Sequence, residues 1–559
     1  MKTKKVISII LTIILILGIL GTAKVDVNAE GTLSGSIGMF AYIPVSADLH
    51  LNINATGAKG HEYMLFPSSV SFSSVYFHYS AEGKNVTMYK DGKEAPLPSD
   101  SPVNISKYLS ADTGDGSQIL TVHVTDAAGA VASYDLYVMK SANIASMYIL
   151  SGDPAKGRAF VEEKKSNRAS GSLVMLNSNG SLVYAGGLSQ IKGRGNTSWG
   201  AAKKPYGIKL ATATDLIQTG NKANAHKNWV LLANAYDATL IHNTVGYKLA
   251  QNMGLNAPDC RPVDLYYDGV YRGNYLLTEK IEVESGRVDI SNLEKKNDKA
   301  NEGKNLSQNA TAQGQNKYGC TIQYVTGVNN PENISGGYLI EQDNAFYASE
   351  RSYFISSSGT PFVVKSPENC SKEEMEYISC FVEEMIQAAA NGGVHPTNGK
   401  SVWEYIDKQS LVRTVVHQEI IKNADAFASS TFYYMDKGSG MLIAGPIWDL
   451  DDSYGVREDV APVDGFVCDR CYIDYFVNLP DFRSAVKSYY NSTGYSKATN
   501  VNIDKYAKEI AASQKMNRLI WNDMVSIFQK LGSYQEDLNY MKSFAKGRAA
   551  WLKGVYATW

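Results

Sequence analysis

The hydrophobic period changes along this chain, and that change limits the folds open to it. From 34 to 139, apolar residues alternate with polar ones, as in Leu120-Thr121-Val122-His123-Val124 and Tyr134-Asp135-Leu136-Tyr137-Val138. Small-residue turns such as Ala111-Asp112-Thr113-Gly114-Asp115-Gly116 separate the stretches. This pattern predicts half-buried strands arranged as a sandwich. Residues 140 to 285 read as more strands with one or two helices. Beyond 370 the spacing turns helical. Ser371-Lys372-Glu373-Glu374 is a capping box, followed by a helix through Met375 to Ala390 that stops at Asn391-Gly392-Gly393. A second helix starts after Asp407 and runs through Leu411, Val412, Val415, Val416 and Ile420 to about Asn423. Residues 507–531 and 534–552 read as two more. Strands followed by helices predict an α+β fold. A small all-β sandwich occupies 30–142, and a larger domain over 145–559 holds a cleft between its β-rich first lobe and its helical second lobe. Residues 286–333 carry few apolar side chains and are expected to form a polar surface insertion, partly disordered.

A length of 559 residues calls for two or more domains. The formal charge of -2, with no basic run beyond the N-terminus, argues against nucleic-acid binding. At that N-terminus Lys2, Lys4 and Lys5 precede an apolar run from Val6 to Leu20, and Val27-Asn28-Ala29 stands before Glu30. This is the pattern of a secretory signal peptide, 1–29, cleaved after Ala29. The alternative is an uncleaved anchor, since the apolar stretch from Val6 to Ala23 reaches the lower margin for spanning a bilayer. The chain is therefore expected to be secreted or held at a cell or spore surface, with membrane attachment only if the signal stays. All six cysteines lie beyond residue 250, and their pairing is not readable from spacing. Cys468-Asp469-Arg470-Cys471 is a lone C-x-x-C with no second pair or histidines at ligand spacing, so it reads as a loop disulfide or two free thiols rather than as zinc ligands.

Several chemistries are missing. The chain has no G-x-x-x-x-G-K-[ST], no H-E-x-x-H, no G-x-S-x-G and no G-x-G-x-x-G opening a helix. Three segments remain. Trp448-Asp449-Leu450-Asp451-Asp452-Ser453-Tyr454-Gly455 follows an apolar, strand-like stretch, and carboxylates at i and i+2 can face one hard cation. An acidic turn is the plainer reading, and an EF-hand fails because Tyr454 and Val460 stand where Gly and Glu are needed. Asp425 ends a helix and leads through a strand, a turn and a second strand to Asp449, the plan by which a kinase catalytic Asp precedes its metal-binding Asp. Arg194-Gly195-Asn196-Thr197-Ser198, with Lys203-Lys204-Pro205-Tyr206-Gly207-Ile208-Lys209-Leu210 after it, offers a fork, hydroxyls and a strand lysine to phosphate oxygens, or else an ordinary polar hairpin.

In their order these segments resemble the CotH (spore-coat protein H) kinase family. The matching residues are Ile191-Lys192-Gly193-Arg194-Gly195-Asn196-Thr197-Ser198, Asn228-Trp229-Val230-Leu231-Leu232-Ala233-Asn234 and Gly269-Val270-Tyr271-Arg272-Gly273-Asn274-Tyr275-Leu276-Leu277-Thr278-Glu279. They continue with Gly336-Gly337-Tyr338-Leu339-Ile340-Glu341, Ile447-Trp448-Asp449-Leu450-Asp451 and Arg548-Ala549-Ala550-Trp551-Leu552. The sandwich before them resembles, by pattern alone, the cadherin-like modules of secreted bacterial proteins, and reads as an accessory or spacing module.

The resemblance implies an atypical, two-lobed protein-kinase-like fold that transfers phosphate from ATP, with Mg²⁺ or Mn²⁺, to serines of protein substrates with serine-rich segments, spore-coat or surface proteins among them. It makes Asp425 the catalytic residue that orients or deprotonates the acceptor hydroxyl, and Asp449, with Asp451, the metal ligands. Lys204 or Lys209 would meet the phosphates, Glu279 would pair with that lysine, and Arg194, Asn196 and Ser198 would line the same cleft. One departure stands out. Many members carry an Asn shortly after the catalytic Asp, where Ala426-Phe427-Ala428-Ser429-Ser430-Thr431 offers only hydroxyls, and this counts against a second metal. The alternatives are a catalytically silent coat or adhesion protein of the same fold, and a carbohydrate- or cell-wall-binding surface protein.

Overall fold

The computed structural model describes residues 31–521 and 532–559. The expected signal peptide and part of the expected helix over 507–531 lie outside them. The fold is mixed α+β. Two sheets of four and six strands enclose the first core, in which Leu51, Phe77, Leu120 and Val122 are fully buried. That core does not stop at residue 142. Tyr148, Val174, Tyr266 and Tyr271 from the next unit, and Met516 and Leu519 from far along the chain, complete it. Asn54 N donates to Gly269 O at 2.9 Å and Tyr266 Oη to Leu65 O at 2.9 Å. A module expected to act as a spacer is thus packed directly on its neighbour.

That neighbour is a closed seven-stranded barrel in the order Ala145–Ser151, Arg168–Leu176, Leu182–Gly193, Tyr206–Thr214, His226–Leu232, Val270–Glu279 and Cys260–Tyr267. Closure comes from parallel pairing of the first with the last, Ala145 opposite Val263. Alternate residues point inward, so Leu173, Leu188, Ile191, Ile208, Leu231, Val263 and Leu277 fill the barrel. The outward set serves two partners. Tyr148, Val174 and Tyr266 face the sandwich, whereas Val230, Leu232 and Leu276 join the core of the C-terminal part.

The C-terminal part combines helices with a second seven-stranded sheet, ordered Thr311–Gln315, Thr321–Val325, Tyr353–Ile355, Pro361–Ser366, Tyr338–Gln342, Thr431–Met435 and Ile443–Ala444. The first two strands lie in the segment expected to be partly disordered. Edge strands need little apolar surface, and a few anchors suffice here: Leu293, Leu306, Ile322 and Val325 are buried, and Arg351 donates to Leu306 O and Asn309 O at 3.0 and 2.7 Å. The capping box forms as expected, with Ser371 and Glu374 bonding reciprocally at the start of Lys372–Ala390. Asp407 caps Lys408–Ile421 through Ser410 N. The next helical region divides into Ile503–Glu509 and Ala511–Ile520, and the chain closes with Tyr534–Ala557. Among the described residues no helix is long and apolar enough to cross a membrane.

Gly337 shows why one motif needs glycine. Its φ is +96°, and an added Cβ would lie 2.4 Å from Ser291 O and 2.8 Å from Leu293 Cβ. Gly337→Ala is expected to lower stability by about 1–3 kcal/mol or more, read as a fall in the denaturation midpoint. A midpoint matching that of the parent chain would show that the turn can relax.

Candidate functional site

The site grows from the end of the helix Lys408–Ile421. That helix is held by His417, whose Nε2 donates to Gly246 O at 2.9 Å in the neighbouring helix His242–Asn252. Burial pushes His417 down to about 4, so it stays neutral there. Lys422 turns the chain out of the helix at φ +51°, and Asn423, Ala424 and Asp425 follow. Tyr433 and Tyr434 then pair with Ala444 and Ile443, the hairpin that carries the chain to Trp448 and Asp449.

The two acidic segments are tied to each other by their backbones. Ala424 N donates to Asp452 O at 3.1 Å, Asn423 Nδ2 to Asp449 O at 3.4 Å, and Tyr454 N to Ile421 O at 2.8 Å. Asn243 of the helix His242–Asn252 accepts Leu450 N at 2.9 Å. Lys422, Phe427, Ser430, Asp449 and Tyr454 all have φ between 48° and 61°, the left-handed region that non-glycine residues seldom enter. Strain of this kind collects at functional sites, because it persists only where the surroundings hold it.

Four carboxylates come within electrostatic reach of one another as a result. Burial first, then the nearby Asp449, raise Asp425 to about 6, and Arg457 and Arg470 partly oppose them. Asp452 is raised to about 8 by burial and then by Asp425, while Asp451 is raised well above the carboxylate range by burial and then by Asp449, Asp452 and Asp425. Ser430 Oγ donates to Asp449 Oδ2 at 3.0 Å, so a hydroxyl sits against this aspartate in the loop where the expected Asn is missing. Across from them stands Arg194. Its guanidinium lies over the Trp448 ring, 5.3 Å from the centroid, and Trp448 in turn stacks on Tyr247 at 6.0 Å. Burial lowers Arg194, and Asp449, Tyr247, Asp451 and Glu341 act against that shift. Glu341 itself is pushed up to about 7 by burial, although Lys365 Nζ lies 3.4 Å away.

Arg194, Asp425, Asp449 and Asp451 are thus brought together, and the other expected residues are distributed differently. Asn196 Oδ1 accepts from Lys165 Nζ at 3.2 Å, and Ser198 Oγ fills the space over Gly195, both shaping the turn beside Arg194. Lys204 Nζ donates to Trp199 O at 2.7 Å and lies over that ring, away from the carboxylates. Glu279 accepts Asp259 N at 2.8 Å, and among the described residues it forms no ion pair with a lysine. The reason is register. Glu279 lies opposite Trp229, whose ring is inside the barrel, while Lys209 lies opposite Asn228, one residue on and therefore on the other face. The Lys–Glu pair beside the aspartates is instead Lys365 with Glu341. Lys192 was also missed. It shares the outward face with Gly207 and, one pair along, with Gln190 and Lys209, and it is two residues before Arg194. Burial, with Arg168 and Lys280 nearby, holds Lys192 below the usual lysine range.

These raised acids set a pH dependence. Asp425 near 6, Glu341 near 7, Glu279 near 7 and Asp452 near 8 all titrate above their ordinary values. At these four groups the folded chain binds more protons than the unfolded one between about pH 4 and 8, which outweighs the opposing contribution of His417 below its ordinary value, so stability falls as pH rises through the upper part of that window. A thermal midpoint lower at pH 8 than at pH 5.5 is expected, measured in chelator. A midpoint that rises across the window would contradict these assignments.

Residues 191–552 match the CotH kinase protein family, about two thirds of the chain and the whole of this site. The chain belongs to that family. No curated protein matches the sequence.

Proposed function

We propose that this chain is a protein serine kinase of the CotH type, exported and acting on serine-rich coat or surface proteins, with ATP as donor and Mg²⁺ or Mn²⁺ as cofactor. The convergence of Asp425, Asp449, Asp451 and Asp452 beside Arg194 carries this reading. In it the barrel serves as the β-rich lobe and the helical part as the second. Among the described residues no three ligating side chains are gathered tightly enough to hold a metal alone. Mg²⁺ takes one or two carboxylates and fills its other positions with phosphate oxygens and water. The oxygen donors of Asp449 and Asp451 fit it, and a cation there would relieve the carboxylate repulsion that raises Asp451 and Asp452. When bound, the cation neutralises charge on the transferring phosphate oxygens.

The chain's own residues do the rest. Arg194 presents its fork to the phosphates, held flat by Trp448. Lys192 and Lys209 lie on the barrel face that continues from it. The acceptor serine oxygen bonds to the γ-phosphorus as the bond to the β–γ bridging oxygen breaks, Asp425 takes the serine proton, and ADP leaves. Ser430 in place of an amide favours one metal over two. The second reading, a silent coat or adhesion protein, draws on the β-sandwich module and on the loop Ala426-Phe427-Ala428-Ser429-Ser430-Thr431, which lacks the expected Asn.

The test is ³²P transfer from [γ-³²P]ATP by residues 30–559 onto a serine-rich acceptor, with Mg²⁺ or Mn²⁺ and with chelator. Asp449→Ala should lose both transfer and metal-dependent ATP binding. No transfer, together with no ATP-induced thermal shift, would leave the silent reading standing.

A further inference from the structure

The segment after the aspartate turn carries two thiols for which the proposed reaction has no use. Cys468 is buried, Cys471 is exposed, and both are free. Their surroundings are tied to the Asp425 loop at several points. Val467 N and Cys468 N donate at 2.9 and 2.8 Å to Oε1 of Glu419, which lies six residues before Asp425 on the helix that delivers it. Arg470, between the two cysteines, donates from Nη1 to Ala424 O at 2.9 Å, the carbonyl immediately preceding Asp425. Asn344 N donates to Ala428 O at 3.1 Å, and its side-chain amide reaches Cys471 Sγ at 3.9 Å. Both thiols also lie within electrostatic reach of the Tyr433 and Tyr472 phenols, which are hydrogen-bonded to each other. Cys471 is held at φ +52°.

A disulfide requires Cβ atoms about 3.5–4.5 Å apart and a torsion near 90° about the sulfurs. Across only two intervening residues it curls the backbone into a tight turn, and Arg470 is one of those two. A single hydrogen bond at 2.9 Å is lost once its donor moves by about 1 Å. We propose that Cys468 and Cys471 form a redox-active pair whose disulfide pulls Arg470 off Ala424 and loosens the Asp425 loop; its consequence for phosphoryl transfer rests on the kinase reading above. The oxidant class is a low-molecular-weight disulfide, RSSR. The accessible Cys471 thiolate attacks one sulfur and expels a first thiolate. Cys468 then attacks Cys471 Sγ and expels the second. The two cysteines lose two electrons and two protons, and two RSH are formed. Burial and Glu419 disfavour the Cys468 thiolate, which makes it the resolving partner rather than the attacking one.

The experiment treats the full chain with oxidised glutathione or with dithiothreitol and takes three readings: peptide mapping without reduction, hydrogen exchange over 422–430, and phosphoryl transfer. Oxidation should link Cys468 to Cys471, speed exchange of the Ala426, Ala428 and Ser429 amides by about tenfold or more, and lower transfer by about tenfold. Dithiothreitol should reverse all three. Cys471→Ser should match the reduced chain and ignore the oxidant, and Arg470→Met should reproduce the faster exchange without any oxidant. Failure of the link to form in excess oxidised glutathione, or a link with unchanged exchange, would overturn the proposal. Absent transfer in the reduced chain would count against the kinase reading alone, because mapping and exchange still decide whether the clasp exists.

Discussion

Asp425→Asn is expected to reduce phosphoryl transfer by about 10²–10⁴-fold, the range typical of losing a positioned general base, while Mg²⁺-dependent ATP binding stays within a few-fold. The substitution keeps the shape and the backbone bond from Asp425 N to Asn423 Oδ1, so the loop has no cause to unfold. In the proposed reaction it removes the atom that accepts the serine proton. Asp449→Ala is expected to behave differently: in the proposed reaction its carboxylate, with that of Asp451, holds the cation against the phosphates, so binding and transfer should fall together. Single-turnover ³²P transfer beside a nucleotide titration separates the two. Transfer by Asp425→Asn within threefold of the parent would remove Asp425 from the chemistry.

The second large effect is structural. Arg548 is fully buried on the closing helix Tyr534–Ala557. Its Nε donates to Glu419 O at 2.7 Å, and its Nη1 to Val463 O and Gly465 O at 2.9 and 2.7 Å. Its Nη2 pairs with the buried Glu419 carboxylate, which also caps Val467 and Cys468. One guanidinium therefore joins the last helix, the helix before Asp425 and the loop after Asp452. Arg548→Met leaves Glu419 charged and buried without its partner, and is expected to cost about 3–5 kcal/mol. Much of that should return in the Arg548→Met/Glu419→Met double variant, since removing both charges leaves none stranded. Denaturation midpoints measure both, and a double variant as unstable as the sum of the singles would point to the lost carbonyl bonds instead.

Some of this was legible because local chemistry and tertiary structure agree. The helix at Lys372–Ala390 announces itself through Ser371 and Glu374, and the helix at Lys408–Ile421 through Asp407. The route from Asp425 through a hairpin to Asp449 is also local, so its order survives folding unchanged. Residues 286–333 misled because composition reports the mean surface of a segment. A hairpin on the edge of a larger sheet draws most of its burial from neighbours, here from Ile322 paired with Phe354 and from the strand Thr321–Val325 packed on the helix Lys372–Ala390. The helix expected over 507–531 is broken at Ile510, and nothing in the apolar spacing marks that break.

By itself the sequence determined the α+β character, the helix starts, the acidic turn and the family, because each depends on residue type at short spacing. Tertiary structure alone decided which side chains share the site. Closing the barrel fixed the register that turns Lys192 and Lys209 outward and Glu279 away from them, and a shift of one residue would have reversed that choice. It also brought Arg194 over Trp448, more than 250 residues later in the chain, and Lys365 to Glu341. Pairings so distant depend on where whole elements pack, and no local pattern encodes that.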